Sequence, residues 1–188
     1  CVTGDPGSSG ISTIYVNQWL KDQLLDHGYT QVDTIWSGNF RPLMMSSINQ
    51  GLTAFGYRGY LGMSGLSTNY ILSLANGYKL PFAIVVTCGT GSFEDDATCQ
   101  SEAFFKAANG GGIGAVGTAT WGTHTRYNNC YYHGVWQGAI NGDDFRLGVA
   151  HTRGKIELYN NYIQGEPNKA EIWAVWNNLM GDPATELW

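Results

Sequence analysis

Segments with helical periodicity alternate along this chain with short apolar runs of strand length. Residues 12–27 carry apolar side chains on one broad face, and Gly28 is a typical residue for the end of that helix. Residues 80–88, LPFAIVVTC, form a continuous apolar run that predicts a central strand covered on both faces. This alternation predicts an α/β fold with a mostly parallel central sheet flanked by helices.

The remaining segments extend the same pattern. Further strands are predicted over residues 30–36, 52–57 and 113–120. Further helices are predicted over residues 42–50, 97–109, 128–140, 144–162 and 169–178, and residues 180–183 are predicted to form a loop. No repeat or low-complexity linker interrupts the pattern, so residues 1–188 are predicted to form a single domain.

The composition and charge of the chain argue against some kinds of binding partner. The net charge is −5 and no basic run occurs, which argues against nucleic acid because phosphate binding needs clustered cations. No apolar stretch approaches the roughly 20 residues of a membrane span. Charged residues make up 13% of the chain, against about 25% in typical proteins, and such a surface is commoner outside the cell. The chain begins with Cys1 rather than Met, which we interpret as a processed chain or a fragment.

Three loops follow predicted strands and are rich in glycine, hydroxyl and aromatic residues. They cover residues 56–62, 87–93 and 118–127. Reactive groups in open parallel sheets lie beyond the carboxyl ends of the strands, so these loops are predicted to form the site. Cys88 stands just after the central strand, and the glycines that follow it allow backbone N–H groups to approach a substrate carbonyl. Taken alone, a buried cysteine at this place is more often a small apolar core residue.

The motif PFAIVVTCGTGSF at residues 81–93 resembles the nucleophile strand of gingipain-type (C25) cysteine peptidases. The segments EAFF at 102–105, GIGAVGTAT at 112–120 and NNLMGDP at 177–183 are similar to the later helix, the next strand and the terminal signature of that family. The resemblance implies a three-layer, caspase-like sandwich. It also implies that the chain corresponds to the later, catalytic subdomain, with the family's earlier subdomain absent.

The resemblance implies that Cys88 is the nucleophile. The family has a histidine in a Gly-His-Gly turn, and this sequence has Tyr60 at that place, in the frame FGYRGYLG. A phenol is a poor base at neutral pH, so the departure puts catalysis in doubt. We hypothesise that His124 replaces the missing base. The other three histidines are predicted to be structural: His27 caps a helix or lies on the surface, His151 lies within a helix, and His133 is structural or faces a groove. Backbone groups at Gly59 and Gly89 are predicted to hold the oxyanion.

The resemblance also places Thr120 and Trp121 at the substrate pocket, because the loop after this strand helps to shape the pocket in the family. Arg58 is either a pocket residue that supports the thiolate or a solvated residue on the turn. The acidic residues Glu94, Asp95 and Asp96 either complement a helix N-terminus or hold the structural calcium that gingipain-like proteins carry. The chemistry itself requires no cofactor.

Two functions remain open at this point. One is a secreted, bacterial-type cysteine endopeptidase that acts on polypeptides through Cys88 and is impaired by Tyr60. The other is an inactive caspase-like scaffold that binds polypeptide, the missing N-terminal subdomain or copies of itself. A flavodoxin-like cofactor binder is disfavoured, since no GxGxxG loop follows the first strand. The four cysteines allow either two disulfides or a free catalytic thiol.

Overall fold

Strands and helices alternate through the part of the chain that the computed structural model describes, which is residues 1–94, 98–141, 144 and 146–187. The strands are β1 (Val2–Gly4), β2 (Thr34–Ile35), β3 (Ala54–Arg58), β4 (Phe82–Val85), β5 (Gly114–Thr118) and β6 (Asn177–Met180). The helices are α1 (Ser12–Asp26), α2 (Phe40–Gln50), α3 (Thr68–Leu72), α4 (Gln100–Lys106), α5 (Thr125–Asn141), α6 (Leu147–Tyr162) and α7 (Pro167–Trp176). In this described part, no helix has the length and apolar character needed to cross a bilayer.

The strands form one sheet in the order β2-β1-β3-β4-β5-β6. The first five are mutually parallel, and β6 pairs with β5 in the antiparallel sense. Successive parallel strands need crossover connections, and the intervening helices supply them on both faces of the sheet. The predicted three-layer architecture with a mostly parallel central sheet is therefore confirmed.

Strand β4 shows why a continuous apolar run was the strongest sequence signal. Phe82 and Ile84 pack into the core on the side of α1 and α5, whereas Ala83 and Val85 pack into the core on the other face. All four side chains are fully buried. Burying a large apolar side chain contributes about 1.5–3 kcal/mol, so both faces of β4 contribute to folding.

Three elements differ from the sequence predictions. Strand β1 and helix α3 were not predicted, and both are only a few residues long. The predicted helix over residues 169–178 ends at Trp176, where Asn177 turns to an extended conformation and begins β6. The cause is tertiary, because residues 177–180 complete the hydrogen bonds of the β5 edge.

Helices α5 and α6 approach each other through glycines. A Cβ atom built on Gly154 of α6 would lie 2.6 Å from Val135 Cγ2 and 2.7 Å from Tyr131 Cε2 of α5. A Cβ atom built on Gly134 of α5 would lie 2.5 Å from Glu157 Cβ of α6. Real Cβ atoms do not come this close to other atoms, so the helices keep this spacing only with glycine at the contact.

Gly154→Ala should destabilise the protein although alanine is the better helix former. The gain in helix propensity is about 1 kcal/mol. Overpacking against two side chains of α5 costs about 1–3 kcal/mol, so a lower urea midpoint is expected. Gly165→Ala is the matched control, because its Cβ would have no neighbour within 4 Å and the midpoint should not fall. A raised midpoint for Gly154→Ala would contradict the close contact between the helices.

Candidate active site

The loops that follow β3, β4 and β5 meet at one edge of the sheet, because the carboxyl ends of parallel strands lie together. The Gly62 N–H donates to the Cys88 carbonyl at 3.1 Å, which joins the β3 loop to the β4 loop. The Gly89 N–H donates to the Thr120 carbonyl at 2.7 Å, which joins the β4 loop to the β5 loop. These contacts bring together the three loops that the sequence selected.

The turn that carries Cys88 is held in place by Thr90, which is fully buried. Its hydroxyl donates to the Val85 carbonyl at 2.8 Å and accepts from the Thr118 N–H at 3.2 Å. Its carbonyl accepts from the Ser101 N–H at 2.9 Å and from the Ser101 hydroxyl at 2.7 Å. One residue therefore binds the turn to β4, β5 and α4.

Cys88 lies in this turn with 6% of its surface exposed. Its Sγ atom is 2.7 Å from the Thr123 hydroxyl oxygen. Thr123 stands in the loop after β5 and was missed by the sequence predictions, since its only signal was a position in that loop. All four cysteines are free thiols, so Cys88 is not consumed in a disulfide with Cys99.

Tyr60 stands in the turn after β3 and has 49% of its surface exposed. Its neighbour Gly59 accepts a hydrogen bond from the Ser9 hydroxyl at 2.5 Å. The Thr87 hydroxyl donates to the Gly62 carbonyl at 2.6 Å, so the backbone of this turn is fixed against the Cys88 turn. The catalytic role of this turn and the oxyanion role of Gly59 remain predictions.

His124 does not form a hydrogen bond with Cys88. Its ring is exposed, its Nδ1 atom accepts from the Arg126 N–H at 3.3 Å, and its edge lies against Tyr127 with ring centroids 5.8 Å apart. The hypothesis that His124 supplies the missing base therefore gains no support from this geometry. Its neighbour Thr123 is the residue that contacts the sulfur.

The other three histidines contact groups outside the loops around Cys88. His27 is exposed and bonds the Gln23 carbonyl at the end of α1. The His133 ring lies 4.3 Å from the Trp19 ring, centroid to centroid. His151 is hydrogen bonded to the Tyr131 hydroxyl. These contacts are structural, as the sequence predicted for all three.

Arg58 is not a solvated turn residue, which corrects one of the two alternatives. It is the last residue of β3 and is fully buried. Its guanidinium donates to the Val86 carbonyl, to Asn129 Oδ1 at 2.8 Å and to the Thr125 carbonyl at 3.5 Å. A buried guanidinium needs acceptors on each side, and carbonyl and amide oxygens supply them here. Because the side chain has no exposed surface, it cannot line an open pocket.

Thr120 and Trp121, which were predicted to line the substrate pocket, lie beside the Cys88 turn. The Trp121 ring has 57% of its surface exposed and covers Gly89, where a built Cβ atom would lie 2.5 Å from its Cζ3 atom. Gly89 has a φ of 74°, a conformation that glycine adopts without strain. Its N–H is engaged by Thr120, so the predicted oxyanion role of Gly89 requires that this hydrogen bond open.

The acidic segment is described only in part. Glu94 is exposed, whereas Asp95 and Asp96 lie outside the described residues. Elsewhere in the described chain, no three potential ligands from His, Cys, Asp or Glu come together. The predicted structural calcium remains a prediction, and no chemical step is assigned to it.

A sequence model of peptidase family C25 matches residues 5–188. No curated protein sequence matches the chain. The crystal structure of the Arg specific cysteine proteinase gingipain R (RgpB) has a TM-score of 0.83 and 19% identity, covering 98% of this chain and 46% of that chain. The complex of Porphyromonas gingivalis RgpB pro- and mature domains has a TM-score of 0.82 and 19% identity, covering 97% of this chain and 46% of that chain. A third structure, of a protease, has a TM-score of 0.74 and 16% identity, covering 86% of this chain and 41% of that chain.

These likenesses confirm the gingipain-like resemblance and the caspase-like fold. The chain spans less than half the length of these structural relatives. At such identities the superpositions establish the fold alone, and they assign no role to the residues around Cys88.

Thr90→Val should destabilise the protein by about 1–3 kcal/mol, because the Thr118 N–H loses its buried acceptor while the side-chain shape is kept. Thr90→Ser retains the hydroxyl and should lose much less. Urea unfolding of both variants measures the difference. A loss for valine no larger than that for serine would contradict the dominant role of the hydroxyl.

Stability should fall as the pH drops from about 6.5 to about 4 because of His151. Burial, with a smaller contribution from Lys155, lowers the pKa of His151 to about 4. The unfolded chain then binds a proton at a higher pH than the folded chain, which removes about 3 kcal/mol across that window. His151→Gln should flatten this part of the stability profile. A profile that keeps its full slope in His151→Gln would assign the effect to other groups.

Proposed function

Since the chain belongs to peptidase family C25, we propose that it is the nucleophile-bearing part of a cysteine endopeptidase that cleaves polypeptides through Cys88. The observation that carries the proposal is the fixed Cys88 turn at the carboxyl edge of the sheet, with Thr123 against its sulfur and Trp121 beside it. Turnover is impaired, because Tyr60 stands where the family has its histidine.

The proposed reaction is acyl transfer through a thioester. The Cys88 sulfur attacks the peptide carbonyl carbon, and the C–N bond breaks as the amine half leaves with a proton. Water then hydrolyses the thioester and releases the acid half. Without an imidazole at position 60, proton transfer to the amine relies on solvent, which is the reason for the slow turnover.

A buried positive charge, that of Arg58, lies near the Cys88 turn. Arg58 hydrogen bonds to the carbonyl of Val86, two residues before Cys88, and interacts electrostatically with Cys88. Burial lowers the pKa of Arg58 to about 10, so the guanidinium stays charged at neutral pH. None of the ion pairs in the described residues includes Arg58, so no carboxylate among them offsets its charge.

The second candidate is an inactive caspase-like scaffold that binds polypeptide or copies of itself. Two observations favour it: no histidine is hydrogen bonded to Cys88, and the Gly89 N–H is engaged by Thr120. As a scaffold, the loops at the carboxyl ends of β3, β4 and β5 bind an extended polypeptide segment without cleaving it. Cys88 then serves as a buried small residue.

The surroundings of the protein are also proposed. The low share of charged residues supports a location outside the cell or on its surface. The chain spans less than half of its structural relatives, and one of those was solved as a complex of pro- and mature domains. We therefore propose a further polypeptide segment, or the family's other subdomain, as the partner of this chain.

A structural calcium ion at Glu94, Asp95 and Asp96 is proposed on the resemblance alone.

Tyr60→His is expected to raise the rate of peptide hydrolysis by about 100-fold, because a positioned general base contributes at least that factor. The measurement is release of dye from heavily labelled, denatured casein by the intact protein at pH 7. Tyr60→Phe is the matched control, since it keeps the ring and removes the hydroxyl, and it should give no gain. Adding Cys88→Ser to Tyr60→His should abolish the hydrolysis.

Two results would count against the proposal. Hydrolysis that survives Cys88→Ser would place the nucleophile elsewhere. Equal, negligible rates for the histidine and phenylalanine variants would favour the scaffold, because a competent nucleophile should respond to a restored base.

A further inference from the structure

Three side chains form a line of hydrogen bonds that ends at the Cys88 sulfur. Trp173 Nε1 of α7 donates to Asn128 Oδ1 of α5 at 2.9 Å, and Asn128 Nδ2 donates to the Thr123 hydroxyl oxygen at 2.8 Å. Thr123 Oγ1 lies 2.7 Å from Cys88 Sγ. We propose that this line fixes the Thr123 hydroxyl as a donor to Cys88, so that Thr123 is a catalytic residue and Asn128 and Trp173 are positioning residues. The inference rests on the proposed function of Cys88 as nucleophile.

The direction of the line follows from its first member. An indole N–H can only donate, so the atom of Asn128 that faces Trp173 has to be the amide oxygen. The amide NH2 group of Asn128 then faces Thr123, whose oxygen accepts. A hydroxyl that accepts from one side keeps its own proton free for another neighbour, and the neighbour here is the sulfur.

Burial keeps the line in this order. Asn128 and Trp173 are almost completely buried, so water cannot readily replace either partner. The Trp173 ring is held between Tyr127 and Trp176, with ring centroids 4.5 Å and 4.7 Å away. A tryptophan fixed in this way cannot turn its N–H from Asn128 without displacing two other rings.

The donor acts on the ionised form of the nucleophile. A thiolate only accepts hydrogen bonds, and a bond from a neutral donor to an ionised acceptor is roughly twice as strong as one between neutral groups. The thiol proton leaves to solvent, whereas Thr123 keeps its own proton throughout. Thr123 is therefore a stabiliser of charge and not a base, which suits a site that lacks the imidazole.

The test is the rate at which iodoacetamide alkylates Cys88 between pH 5 and pH 9, read by mass spectrometry of the Cys88 peptide from the full chain. Thr123→Val should move the midpoint of the rate profile up by about one pH unit and slow alkylation at pH 7 by about 10-fold. Thr123→Ser keeps the hydroxyl and should restore the profile towards that of the wild type. An unchanged midpoint in Thr123→Val would overturn the proposal.

A matched pair of variants tests the positioning role of Trp173. Trp173→Phe removes the N–H that orients Asn128 and should move the midpoint in the same direction as Thr123→Val. Trp19→Phe alters a tryptophan of α1 that packs on His133, outside the line, and should leave the midpoint in place. Equal midpoints for the two variants would overturn the role of Trp173.

Two other cysteines report on folding in the same samples. Burial raises the pKa of Cys130 to about 12 and also raises the pKa of Cys99, so both should stay unlabelled while the chain is folded. Labelling of all cysteines together would identify an unfolded variant, and if Thr123→Val unfolds, Trp173→Phe carries the comparison with wild type. The alkylation profile needs no peptide substrate, so failure of the casein assay and failure of this inference are separate results.

Discussion

The buried hydroxyl and carbonyl of Thr90 are the contacts on which the site depends. They bind the turn after β4 to the neighbouring strand and to the first turn of α4. Buried polar groups are costly unless each is paired, so this turn has few alternative conformations that satisfy all of its partners. Cys88 is two residues from this anchor, and its position relative to the β3 and β5 loops follows from it.

The parts of the fold that could be predicted from the sequence are those with a long run of residues in one hydrophobic pattern. The run around β4 is apolar on both faces, and the structure places alternate side chains of that run in two cores. Strand β6 lacked such a signal, since its residues continue the helical pattern of α7 and become extended only by pairing with β5. The short elements β1 and α3 were missed for the same reason, because a few residues carry too little periodicity to be recognised.

The site could be predicted at the level of loops but not at the level of contacts. The sequence places Cys88, Thr120 and Trp121 in loops after neighbouring strands, and a hydrogen bond from Gly89 to Thr120 joins these loops in the structure. The hydrogen bonds between Cys88 and Thr123 and between Trp173 and Asn128 join residues 35 and 45 positions apart, and no local pattern indicates them. Arg58 was expected in solvent as one alternative because charged residues are rarely buried, and only the fold reveals its three acceptors.

The hydrogen bond between Gly89 and Thr120 makes ligand binding and loop movement linked equilibria. In the free chain the Gly89 N–H is satisfied internally, so under the proposed function a substrate carbonyl oxygen has to compete with the Thr120 carbonyl for it. The apparent affinity of any peptide therefore includes the free energy of separating the two loops. Substitutions in the loop after β5 can therefore alter that affinity without contacting the ligand.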